Sequence, residues 1–524
     1  MPIVQQGQIN TTALVVPDLY VQIVPPQNLI INGVPTNVAG LVGTASWGPV
    51  GQPVICSTMA DYATAFGPVT PRKYDMGTAI AAAVQQGASN FRCVRVSNGT
   101  DTAASMAFGV TAPSFAFVLT ALHTGSLGNQ IAGTISAGSA ANSWRLIITM
   151  PGLQPEVFDN LQGTPAQIYA GMVNAVNNGI GPMRGPSRLV TATVGTLGPA
   201  LAPASSTLSG GTDGATGITA ATLVGVDTLP RTGMYALRGL GCSIAALADA
   251  DDSTQWTTQA AFGLSEGIYM ILVTPSGDTI ANAVAVKANA GLDCYGAKLM
   301  FGDWIWWNDQ ANAVIRLISP QGFALGRLAN LSPEQSSLNK PLYSVVGSQK
   351  SGTPGSAQAT CYSSADLGAL LQAGIDVIAN PQPGGSFWGV RGGHNSSSNA
   401  ATNGDNYTRM TNYIAATLAA GMGQYVGQVV NAALFRRIRS TQLSFLQGML
   451  SQGLLGSTTG ALPFSVICDT SNNPLTRTGL GYVQSDAQVQ YQAINEKFIV
   501  NIEGGQTVQV QSQVLPGTPG ALSA

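Results

Sequence analysis

The chain has 524 residues, room for two to four domains, and is 45% hydrophobic but only 9% charged, against about 25% charged in an ordinary globular protein. So few charges leave a soluble monomer poorly defended against association; a polymer subunit that hides surface against copies of itself fits, and so does a secreted protein whose solubility rests on neutral polar residues. A formal net charge of -2 argues against nucleic-acid binding, and with no run of about 18 apolar residues and no signal peptide the chain is expected to stay in a cytoplasm without entering a membrane.

Residues 1–24 carry two β-prone runs, Val15-Val16 and Tyr20–Ile23, around Pro17, before Pro25-Pro26 breaks the chain. They read either as an ordinary first strand or as an arm able to pair with a sheet edge. Asn37–Gly51 reads as a buried strand leading into a Gly-Pro turn, and Val54–Cys56 as a short strand. Ser57 or Thr58 caps a short helix with Met59, Tyr62, Ala63 and Phe66 apolar. Tyr74–Gln86 is a second helix, ended by Gly87. Phe91–Val96 alternates as a strand, with Arg92 and Arg95 on opposite faces. Gly40, Gly43, Gly48 and Gly51 belong to turns, because no Gly-Lys-Ser/Thr follows them as a phosphate loop requires.

From Thr100 to about Ala220 the chain is rich in Ala, Gly, Ser and Thr, with a strand over Ser143–Met150 and a helix over Ala166–Asn177. Beyond Ala221 strands and helices alternate: strands at Ser243–Leu247, Gly267–Thr274 and Ala313–Ile318, helices at Thr254–Leu264 and from Asp278 to Ala290, and an apolar, aromatic stretch at Lys298–Trp307. That alternation suggests a parallel or mixed sheet covered by helices. Trp304, Trp306 and Trp307 read as core or rim packing. A helix over Ala365–Gln372, a strand over Ile375–Ile378 and a helix over Asp405–Ala420 follow.

Asn431–Gly453 is the most informative stretch. At 100° per residue Leu434, Ile438, Phe445 and Met449 share one helix face, Arg436 points away from it, and Arg437 and Arg439 flank it. Asn431 can cap the helix and Gly453 can end it. Three of the chain's 22 Lys and Arg residues fall within four positions. Either this is a solvated face or it is a docking surface for an acidic partner. A strand at Pro463–Cys468, a polar turn at Asp469–Pro474 and strands at Gly481–Val489 and Lys497–Ile502 complete an α+β module. Thr507, Val508, Gln509 and Val510 alternate apolar and polar, a pattern suited to edge pairing with a neighbour.

No catalytic constellation emerges. The two histidines, His123 and His394, sit in polar loops; HExxH, CxxC and a G-x-S-x-G elbow are all missing. No metal site and no cofactor are expected. Asp249, Asp251 and Asp252 read as a solvated loop with helix caps. The six scattered cysteines read as reduced thiols.

The arginine helix, the turn Cys468-Asp469-Thr470-Ser471-Asn472-Asn473-Pro474 and the closing strand resemble the C-terminal domain of contractile-tail sheath proteins, the family of phage tails, tailocins and related secretion devices. Further motifs resemble that family in order along the chain: Pro17-Asp18-Leu19-Tyr20, with Asp18 where Gly is usual; Gly43–Gly51; Leu208–Gly214; Ser319–Arg327, with Leu325 in place of the usual small or aliphatic residue; and Phe387–Arg391. The resemblance covers residues 15–100 and 235–510, and not the inserted region. It implies an α/β and α+β multidomain protein: an arm (1–24), the first part of a sheath core (25–100), an inserted peripheral β-rich domain (101–220), a central α/β, subtilisin-like domain (221–360), an α+β C-terminal domain facing the tube (361–505) and a second arm (506–524). It implies a non-enzymatic subunit of hexameric rings stacked around a tail tube protein, with baseplate and terminator partners, in a virion tail assembled in the host cytoplasm. Arg436, Arg437 and Arg439 would face the tube. Leu19, Tyr20, Val21, Gln22 and Ile23, with Thr507–Val510, would exchange strands between subunits. Another self-assembling shell or surface-layer protein, or a subtilisin-like hydrolase, are the alternatives.

Overall fold

The computed structural model describes the backbone of residues 3–6 and 20–23, and residues 31–109, 114–182, 184–196, 200–353, 361–504 and 506. Residues up to Gln492 form one unit and those from Ala493 a second.

The strand Ala39–Gly43 is buried along its whole length because its two faces enter two different cores. Ala39 and Leu41 join one apolar cluster, Val38 and Val42 the other. The same alternation runs through Ile244–Leu247 and Tyr269–Val273, where Ile244, Ala246, Tyr269 and Ile271 face one core and Ala245, Leu247, Met270 and Leu272 face the other. A strand covered on both sides reads as an unbroken apolar run, which is the mark of a parallel sheet between helix layers. The observed sheet has seven strands in the spatial order Ile375–Asp376, Ala297–Met300, Tyr269–Val273, Ile244–Leu247, Ala39–Gly43, Phe91–Arg95 and Pro53–Cys56. All neighbours are parallel except the Pro53–Cys56 edge.

Helices Met59–Phe66, Met76–Gln85 and Gln321–Asn330 supply the first core, and Trp256–Glu266, Ile280–Ala290 and Ser364–Gln372 supply the second. Thr58 caps the first helix through a capping box with Asp61. Gln321–Asn330 explains the Gly-rich motif in the Ser319–Arg327 segment. A Cβ on Gly326 would lie 2.5 Å from backbone atoms of Ala83, and one on Gly322 would lie 2.8 Å from the Ala79 carbonyl. Only glycine lets these two helices meet backbone to backbone.

Residues 105–207 form two antiparallel sheets, one of four strands and one of three, which enclose a separate core with helix Pro165–Asn178. Their junction with the central sheet is polar. The buried Arg95 guanidinium donates to the carbonyls of Gly48 (2.6 Å), Thr124 (2.6 Å) and Asp213 (3.1 Å). Arg72 pairs with Asp213 at 2.5 Å, and Asp213 also accepts from the Ser126 amide. The Leu208–Gly214 segment, one of the motifs that resemble the sheath family, is thus pinned where it returns to the core.

Helices Asp405–Met422 and Ala432–Ser451 pack with an antiparallel hairpin, Phe464–Ile467 and Asp486–Val489, around Met410, Ile414, Phe445, Leu446, Met449, Phe464 and Val466. No helix among the described residues is long and apolar enough to cross a membrane.

Three expectations need correction. Gly40 and Gly43, expected in turns, lie inside the buried strand Ala39–Gly43, while the apolar, aromatic stretch Lys298–Trp307 divides between the central sheet, through Ala297–Met300, and a separate three-stranded sheet, through Ile305–Asp309. Ile375–Ile378 likewise divides between two sheets at Val377. Lys497–Ile502 forms no strand. Phe498, Ile499, Val500 and Ile502 are 61–87% exposed, and a strand needs a neighbouring edge to take up its backbone groups.

Candidate functional site

Ala432–Ser451 begins where expected. The Asn431 side chain accepts from the Leu434 amide at 2.8 Å, and Gly453 turns the chain with φ of 76° just past the last helical turn. Leu434, Phe435, Ile438, Thr441, Gln442, Phe445, Leu446 and Met449 are buried, whereas Arg436, Arg437 and Arg439 are exposed. None of the three arginines is ion-paired to a carboxylate among the described residues. Arg437 donates to the Gln428 side chain at 2.6 Å. Arg439 lies within electrostatic reach of Asp469, whose carboxyl is held below the usual range by the Ser471 hydroxyl and amide, with a smaller pull from Arg439.

Helix physics gives these arginines no local reason to be there. They are the fifth, sixth and eighth residues of the helix, beyond the first turn, where the helix dipole has little hold on a charge. The helix contains no acidic residue to offset them at i,i+4. Between residues 423 and 489 the only charges are four arginines, the fourth being Arg477, and two aspartates, Asp469 and Asp486.

The adjoining turn is stiff. Asp469 accepts from the Ser471 amide at 2.8 Å, Asn472 donates to Asp486 at 2.8 Å, and Asn473 donates to the Gln484 carbonyl at 2.8 Å and accepts from its amide at 2.6 Å. Arg477 also donates to the Gln484 side chain. Asn-rich turns bond their own backbone in this way, and the turn carries Cys468 into the apolar cluster of Leu434, Phe435 and Ile438.

Tyr20–Ile23 forms a strand paired in parallel with Ile3–Gln6, in the register Ile3 to Tyr20. Leu19 and Thr507–Val510 lie outside the described residues. The Asp249 cluster differs from the expected solvated loop. Asp252 does cap, accepting from the Thr254 amide at 3.0 Å, but Asp251 is paired with Lys73 at 2.9 Å. Asp249 is buried, accepts from the Tyr74 amide at 3.0 Å, and its carboxyl is pushed up to about 7 by burial. His123 packs edge-on to Trp47 at 5.2 Å, and its imidazole is held below its ordinary range by burial and by Arg95. Trp307 is core, as expected. All six cysteines are free, and no group of His, Cys, Asp or Glu among the described residues is arranged to hold a metal.

Sequence reasoning missed the most buried charges. Lys298 is fully buried and donates to Asp376 at 2.6 Å and Asp405 at 3.0 Å. Asp405 accepts also from Tyr269 at 2.6 Å and from the Ser337 hydroxyl. Asp376 takes the backbone amides of Gly392 and Gly393, each at 2.8 Å. Burial works against the Lys298 ammonium, but Asp376 and Asp405 outweigh it and hold it above its ordinary range. Burial likewise opposes ionisation of Asp405, yet Lys298, Ser337 and Tyr269 hold it low. This node ties helix Asp405–Met422 to the central sheet. One helical turn on, buried Arg409 donates to the carbonyls of Leu331 (2.7 Å) and Ser332 (2.9 Å).

No sequence model of a protein family matches the chain, and no curated protein sequence does. Solved structures do match. A sheath tail protein from Desulfitobacterium hafniense is 16% identical, with a TM-score of 0.58 over 85% of this chain and 93% of that one. A sheath tail protein from Listeria innocua is 13% identical, with a TM-score of 0.57 over 84% and 90%. The sheath complex of an extracellular contractile injection system, PVC, in its contracted state is 10% identical, with a TM-score of 0.53 over 95% and 99%. The chain has the fold of contractile-tail sheath proteins. The sheath fold extends through the C-terminal module, since the match to the PVC sheath leaves only a twentieth of the chain outside it.

Proposed function

We propose that the chain is the structural, non-catalytic subunit of a contractile tail sheath, which polymerises as stacked hexameric rings around a tail tube and contracts to drive the tube through a host envelope. The observation that carries this reading is the sheath fold over nearly the whole chain. Three features support it. The arginine face forms no ion pair with a carboxylate among the described residues and suits an acidic tube surface. The hairpin Phe464–Ile467 and Asp486–Val489 has no third strand among the described residues, so its edges suit arms from neighbouring subunits. The exposed apolar residues of Lys497–Ile502 and the alternating Thr507–Val510 suit the donating side of the same exchange.

Contraction in this reading is a change between two packings of rigid subunits, with the arms as hinges that survive it. The free energy is stored when the extended form assembles, so no nucleotide is consumed. The subunit belongs to a virion tail, assembled in the host cytoplasm, with baseplate and terminator proteins at its ends.

Electron microscopy of the full chain beside a version lacking residues 1–24 tests the reading. Tubes or rings from the full chain, and monomers from the truncation, are expected. Equal polymerisation by both would remove the strand-exchange role from Tyr20–Ile23.

A further inference from the structure

The loop between the two C-terminal helices, Gly423 to Val430, holds two valines in water. Val426 is 85% exposed and Val429 is 80% exposed. Exposed apolar residues scattered on slack loops are ordinary, but this loop is braced. Tyr425 shares a 2.5 Å hydrogen bond with the Thr441 hydroxyl on the arginine helix. Gln424 donates to the Gly421 carbonyl at 3.0 Å, and Gln428 donates to the Gln424 carbonyl at 2.9 Å. The Gln428 carbonyl oxygen of the side chain accepts from Arg437. Tyr425 and Val430 pack against Leu434, Phe435 and Ile438. The neighbours of the two valines are therefore fixed to the helix, one of them by an arginine of the charged face, while the valines themselves touch no core.

We infer that Val426 and Val429 are apolar knobs that seat in recesses of an acidic protein partner, beside the patch engaged by Arg436, Arg437 and Arg439. The chemistry divides between the two halves of the surface. Guanidinium groups on a rim steer encounter and set register, with an effect that salt screens. Desolvated apolar anchors carry affinity that salt does not screen. The occupant is fixed by charge: the segment around the loop is basic, so the partner is acidic, and identifying it as the tail tube rests on the sheath reading above.

The test uses the full chain and preassembled tail tubes, with co-sedimentation at low and high salt. V426S/V429S should keep its fold, because neither side chain is packed, and should bind tubes roughly tenfold more weakly or worse at both salt levels. V426I/V429I should bind as the parent does. R436Q/R437Q/R439Q should lose binding mainly at low salt, where the parent gains most. If the serine variant binds like the parent while the arginine variant does not, the knobs are not anchors and the sheath reading stands. If neither variant loses binding, both the knobs and the tube-facing assignment fall. If the serine variant binds tubes normally but no longer forms rings by itself, the valines contact a second copy of the chain, and the inference is overturned.

Discussion

The molecule carries two sets of cations in opposite surroundings. Lys298, Arg95 and Arg409 are buried and held by acceptors from distant parts of the chain. Arg436, Arg437 and Arg439 are exposed on one helix and form no ion pair with a carboxylate among the described residues. The first set shows how the part up to Gln492 is held together: each buried cation joins pieces that the chain supplies far apart. The second set adds little to the fold beyond the Arg437 bond to the Gln428 side chain. Substitutions should therefore separate cleanly into those that unfold the subunit and those that leave it folded but unable to dock.

The largest effect is expected at Lys298. Lys298→Met leaves Asp376 and Asp405 buried with no cation between them, and breaking one partner of a buried pair costs about 3–5 kcal/mol. Urea unfolding of the variant should show that loss. Combining it with Asp376→Asn and Asp405→Asn removes the stranded charges and should recover part of it, because neutral side chains cost less to bury. A single variant as stable as the parent would mean that the node is not what fixes the C-terminal helix to the sheet.

An intermediate, pH-dependent effect is expected at Asp249, a buried carboxyl with incomplete compensation. Its folded value of about 7 exceeds the unfolded value of about 3.9, so the folded state binds the extra proton between these limits. Stability is then greatest at and below about pH 4, falls as pH rises towards about 7, and is flat above that. Asp75 nearby, pushed up to about 6 by burial, adds in the same direction. Asp249→Asn imitates the protonated acid, can still accept from Tyr74, and tolerates the left-handed φ of 52° at this position. It should match the parent near about pH 4 and exceed it by up to a few kcal/mol near about pH 8. A variant less stable than the parent at high pH would show that the ionised carboxylate is needed there.

The contrast between the two sets also explains what could be read from the sequence. The arginine helix was legible because its signals are local: a cap at Asn431, an apolar face at helical spacing and a break at Gly453. Both cores were legible as unbroken apolar strands. The buried node was not, because Lys298, Asp376 and Asp405 are joined across 78 and 107 positions. Its one trace was a lysine in the apolar strand Ala297–Met300, a position where an unpaired charge would be prohibitive. The split at Val377 was hidden because each half is only two residues long, too short to carry a pattern, and only tertiary pairing assigns them to different sheets. Lys497–Ile502 has a strand's composition, but a strand is a property of two edges.

The smallest effect on stability, and the sharpest use of the comparison, belongs to R436E/R437E/R439E. The three positions lie beyond the first helical turn, so reversing their charge changes the interaction with the helix dipole little. The Arg437 bond to Gln428 is lost, worth about 1 kcal/mol. The net change in unfolding free energy should stay within roughly 1 kcal/mol. Assembly around tubes should nevertheless fail, since three charge reversals on one face turn attraction to an acidic surface into repulsion. Stability and docking are thus set against each other in one variant. A subunit that unfolds would place the arginines with Lys298 as part of the framework. A subunit that folds and still sheathes tubes would take the face away from the tube altogether.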